Sequence, residues 1–88
     1  MTSRQDIADW FDAGKSRGEM FMIVASDTYD HEDFPVYVRQ EQAFWATFSQ
    51  YDYPANMLRI MEVYDLRQDR EEQLNEHRAM RCPPRSES

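Results

Sequence analysis

The spacing of apolar residues changes several times along this chain, and each change marks an element. Ile7, Trp10, Phe11 and Gly14 recur at helical spacing. They follow Ser3 and Asp6, a capping-box pair with Asp in place of the usual Glu, and Gly18 supplies a stop signal. The spacing predicts a helix over residues 4–16. Met20-Phe21-Met22-Ile23-Val24-Ala25 is a continuous apolar run, too short for a free-standing helix, which reads as a central strand buried on both faces. A polar loop from Ser26 to Asp33 follows, then a second strand, Phe34-Pro35-Val36-Tyr37-Val38. Because Pro35 cannot donate to a ladder, that strand is expected at a sheet edge or starting at the proline.

Phe44, Phe48 and Tyr51 stand at i, i+4 and i+7 within Glu41–Tyr51, the stripe of a helix lying on a sheet, and Pro54 ends it. Met57–Tyr64 alternates in part and carries β-branched and aromatic residues, which predicts a third strand. From Asp69 to Met80 the residues are good helix formers with few apolar anchors, chiefly Leu74, Ala79 and Met80, so this last helix should be lightly attached or meet a partner. The reading is an α+β fold in the order α-β-β-α-β-α: a three-stranded, largely antiparallel sheet with helices packed on it. Residues 1–80 form one domain and 81–88 a flexible tail.

Length and composition change this picture little. Eighty-eight residues leave room for one core, and 41% apolar with 14% aromatic residues is enough to order a chain that is 31% charged. Cys82, the single cysteine, excludes an intrachain disulfide and a multi-cysteine zinc site. With no long apolar stretch and no basic-then-apolar leader pattern in Met1–Asp6, the expected location is the cytoplasm. Charge adds more. The net −7 disfavours direct binding to nucleic acid or an anionic membrane and favours a basic partner; all of the excess falls in residues 1–66, which hold twelve acids against five bases.

Polar chemistry concentrates in Asp27-Thr28-Tyr29-Asp30-His31-Glu32-Asp33. Asp27, Asp30, His31, Glu32 and Asp33 offer oxygen and imidazole groups, but neither calcium-loop spacing nor an H-E-x-x-H pair is present. A solvated hairpin loop is the plainest reading, followed by a partner-contacting loop and then by a metal or catalytic site. His77 has only His31 as a second histidine and reads as a surface residue. Ser26 and Ser49 lack a nucleophile elbow, and two glycines cannot make a phosphate-cradling loop, so no catalytic residue, cofactor or metal is predicted. Trp45 stands one position off the Phe44/Phe48 stripe, and Tyr51-Asp52-Tyr53 falls at a helix end. Exposed rings rimmed by acids have the composition of a protein-binding hot spot, with bland packing of the second helix carrying equal weight. The expected partner surface is therefore Asp27, Asp30, His31, Glu32, Asp33, Trp45, Tyr51, Asp52 and Tyr53.

The stretch from Met22 through Asp27-Thr28-Tyr29-Asp30-His31-Glu32-Asp33-Phe34-Pro35-Val36-Tyr37-Val38 resembles a family of short uncharacterised proteins from bacteria and their phages, as do Asn56-Met57, Met61–Leu66 and Gln73–Ala79. That resemblance implies a cytoplasmic setting and a mobile-element origin, and carries no catalytic residue. The function expected is a non-enzymatic acidic inhibitor, of anti-CRISPR or similar anti-defence type, that occupies a basic nucleic-acid groove on its target. Two alternatives stand beside it: a small metal-dependent or nucleotide-handling enzyme using the Asp27–Asp33 loop, and a homodimeric regulatory or immunity protein joined through an edge strand or the Trp45 surface.

Overall fold

Phe21, Met22, Ile23, Val24 and Ala25 have no polar face to turn to water, so the strand they form is stable only with cover on both sides. The computed structural model describes residues 2–53, 55, 57–76 and 78–84 and provides that cover. Its elements are α1 (Arg4–Ser16), β1 (Phe21–Asp27), β2 (Glu32–Val38), a 3₁₀ turn (Glu41–Ala43) leading into α2 (Phe44–Tyr51), β3 (Leu58–Asp65) and α3 (Arg70–Leu74). The fold is α+β in the order α-β-β-α-β-α. The strands make one antiparallel sheet in the order β2-β1-β3.

Side chains of β1 alternate between two cores. Met22 and Val24 join Ile7 and Phe11 of α1 with Tyr64 and Leu66, whereas Phe21, Ile23 and Ala25 join Phe44 of α2 with Val38, Ile60 and Val63. The two long helices thus lie on opposite faces of the sheet. Ser3 and Asp6 close a full capping box on α1, each side chain accepting the other's backbone N–H at 3.1 Å.

The partial alternation of β3 has a specific cause. Val24 pairs with Glu62 but Ala25 pairs with Ile60, so Met61 is the extra residue of a bulge. One extra residue lets Ile60 and Val63 both face α2 while Tyr64 faces α1.

β2 is an edge strand with Pro35 inside it, paired with Val24. The opposite edge is covered. Residues expected to continue the last helix instead turn back along β3, and the helix ends at Leu74. Val63 N–H donates to Ala79 O at 2.8 Å, Arg81 N–H donates to Val63 O at 3.0 Å, and the Arg78 guanidinium donates to the Met61 and Ile60 carbonyls at 2.7 and 3.1 Å. An open strand edge offers this backbone the same hydrogen bonds a helix would, and it also buries Ala79 completely. Pro83 is buried too. His77, and the tail from residue 85 on, lie outside the described residues.

Buried Tyr64 carries one ionisation consequence. Its hydroxyl donates to Glu62 Oε1 at 2.8 Å and accepts from Arg4 at 3.2 Å. Burial, and then the Glu62 carboxylate, push its pKa well above the usual 10, with Arg4 opposing. An unfolded tyrosine ionises first, so the folded state binds more protons above pH 10 and stability falls as pH rises beyond that point. Urea unfolding from pH 8 to 11 should show a flat region and then a loss approaching about 1.4 kcal/mol per pH unit from this group. Tyr64→Phe should flatten the slope, and an unchanged slope would assign it elsewhere.

Candidate functional site

The β1–β2 connection is only four residues, Thr28–His31, because Asp27 and Glu32 already pair in the ladder. The Asp27 side chain builds the turn, accepting from the N–H of Tyr29 at 2.9 Å and of Asp30 at 3.4 Å, while His31 N–H donates to Asp27 O at 2.7 Å. His31 closes it with a φ of 58°. The described segment between α2 and β3 lies against this turn. Thr28 donates both its N–H, at 2.7 Å, and its hydroxyl, at 3.0 Å, to the carbonyl of Met57, whose φ is 59°. Among the described residues, the two left-handed non-glycine ones, His31 and Met57, therefore flank the end of β1 at one end of the sheet, a conformation that costs each about 1 kcal/mol.

What this end displays is unlike the rest of the surface. Tyr29 is 74% exposed, Tyr53 52% and Met57 50%, and three of the large apolar side chains left in water thus gather here. Charge is arranged with equal selectivity. Ion pairs join Arg39 to Glu19, Arg67 to Asp65, Arg70 to Asp12 and Glu71, Arg81 to Glu72 and Glu76, and Arg4 to Glu62. Asp27, Asp30, Glu32, Asp33 and Asp52 take part in none of them. Of these, Asp30, Glu32 and Asp52 add negative charge beside the exposed tyrosines, while Asp6, Asp9, Glu41 and Asp69 likewise stand outside these ion pairs elsewhere on the fold.

The expected partner residues divide into three groups. Asp30, His31 and Glu32 come together at the exposed hairpin tip, and Tyr53, the residue after Asp52, is tied to the start of β3 by Leu58 N–H donating to its carbonyl at 3.3 Å. Tyr51 is half-buried, its ring 6.0 Å from Phe34, and anchors the end of α2 beneath the tip. Trp45 and Asp33 are displaced from this surface. The partly buried Trp45 ring packs 5.0 Å from Phe44 and 5.2 Å from Phe48 against the α2-side core; Asp33 faces α1. Among the described residues no three His, Cys, Asp or Glu side chains converge on a common metal position.

No family model, curated protein or solved structure matches this chain. Chemically, the hairpin end offers amphipathic rings and a flexible thioether for desolvated contact, ringed by carboxylates that attract cations from a distance. Tyr29 and Met57 were missing from the expected surface. The signal for Tyr29 was present, since a tyrosine amid acids in a loop has no strand spacing to bury it. For Met57 there was none, because its exposure follows from a backbone conformation.

Proposed function

We propose that this protein is a non-enzymatic binding module whose hairpin end seats on a basic surface of a protein partner and keeps nucleic acid off it. An inhibitor of anti-CRISPR or similar anti-defence type acts in this way. The observation that carries the reading is the coincidence of exposed Tyr29, Tyr53 and Met57 with uncompensated Asp30, Glu32 and Asp52 at one end of a fold whose other carboxylates are largely paired or capping. Tyrosine and methionine suit the dry centre of an interface, and carboxylates at its rim can replace phosphates along a Lys/Arg-lined channel. The resemblance of Asp27–Val38 to short bacterial and phage proteins supports a mobile-element origin. Among the described residues no helix is long and apolar enough to cross a membrane.

Two variants separate the contributions. Charge reversal at Asp30, Glu32 and Asp52 should cut the association rate at least tenfold and remove its salt dependence, whereas Tyr29→Ala with Tyr53→Ala should accelerate dissociation. Partners captured from host lysate by the wild-type chain should release bound nucleic acid in a mobility-shift assay when the protein is added. Capture unaltered by both variants, or a partner that keeps its nucleic acid, would overturn the reading.

A further inference from the structure

On the α1 face, Ser26 of β1 stands between Asp33 of β2 and Arg59 of β3 in one cross-strand row. Asp33 and Arg59 line a cavity of about 390 Å³ whose base is apolar, formed by Ile7, Val24 and Met61. Thr2, Arg4, Glu62 and Arg78 complete the wall: Arg4 faces Glu62 at 3.5 Å, and the Arg78 guanidinium is held in place by the β3 carbonyls while keeping its charge. Asp33 and Arg59 form no hydrogen bond or ion pair with their side chains among the described residues, although they face the same space. The row keeps them apart. Two strand spacings separate their backbones by about 10 Å.

We infer that this cavity binds a small zwitterion with an apolar body, its ammonium on Asp33, its carboxylate on Arg59 and its side chain on Ile7, Val24 and Met61. The two side chains reach toward the ligand from these backbones, and a charge-assisted hydrogen bond of about 2.8 Å at each end joins them to its charges. A free apolar amino acid carries both charges within one residue, and an extended dipeptide separates them by about 7 Å. The flexible Arg59 stem accommodates either. The guanidinium presents a fork to a carboxylate, and the nearby N-terminus of α1 adds to the positive potential at that end. This site is independent of the partner surface, since its ligand needs neither Tyr29 nor Tyr53.

Methyl NMR of the whole chain tests it, with L-leucine, leucyl-leucine, N-acetyl-leucine and leucinamide as probes. The two zwitterions should shift the Ile7, Val24 and Met61 methyl signals, and the larger effect of one over the other identifies the source. N-acetyl-leucine and leucinamide, each lacking one charge, should bind at least about tenfold more weakly. Asp33→Asn should abolish the discrimination against N-acetyl-leucine and Arg59→Gln that against leucinamide, both with an unchanged melting temperature. Absence of methyl shifts at about 20 mM ligand, or equal binding of the single-charge analogues, would overturn the inference.

Discussion

Replacing Gly14 with alanine is expected to lower stability by about 2–3 kcal/mol, a fall in melting temperature of roughly 10–20 °C for a domain this size. On an exposed helix the same change would stabilise by about 1 kcal/mol, so the sign itself is informative. A Cβ at Gly14 would press on the ring edge of Tyr37, including Cδ1 at 2.7 Å, and would meet Leu66 Cδ1 at 2.9 Å. The ring has little freedom to withdraw. Its hydroxyl donates to Trp10 O at 2.8 Å and the Arg17 guanidinium lies 4.5 Å above its centre. Thermal unfolding of Gly14→Ala in the wild-type and Tyr37→Ala backgrounds decides the cause. The substitution should cost much less once the ring is gone, because the end of the Leu66 side chain can then move into the vacated space, and an equal loss in both backgrounds would mean that the Tyr37 ring is not the cause.

Gln73→Leu should cost a similar amount, about 3 kcal/mol, although it exchanges a polar side chain for an apolar one of comparable size at a completely buried position. The Gln73 amide acts as one more rung on the outer edge of β3: its oxygen accepts from Asp65 N–H at 2.7 Å and its nitrogen donates to Asp65 O at 2.9 Å and Asp69 O at 3.0 Å. Leucine leaves the Asp65 N–H buried without an acceptor, while Asp65 O keeps the N–H of Gln68 at 3.1 Å. Chemical denaturation measures the loss, and amide exchange at Asp65 locates it. A destabilisation below about 1 kcal/mol would show that water or a backbone shift replaces the missing acceptor.

Gln73 also explains how a short helix poor in apolar residues stays attached. Only Leu74 of the expected apolar anchors lies within α3; Ala79 and Met80 belong to the segment lying along β3. The attachment is polar and buried, and its direction depends on where Asp65 ends up. A sequence window contains Gln73 and Asp65 but not the fact that one caps the other.

Elements set by local pattern were legible from the chain. Helix α1 runs over the predicted residues because a capping box, a 3.6-residue apolar stripe and a stop glycine at φ 78° all act within a few positions of one another. The central place of β1 was legible too, since a run without a polar side demands cover on both faces. Acidity around Asp30 and Glu32 was equally visible. Tertiary structure decided the remainder: that residues 78–81 leave a helix to bond β3, that Trp45 turns inward, that Tyr29 and Met57 share one exposed end, and that Asp33 and Arg59 face each other across a cavity. Periodicity records which side of an element seeks burial, a property of neighbouring residues. Which carboxylates keep a partner, and which backbone groups an edge must recruit, depends on distant segments meeting, and that is fixed only when the whole chain packs.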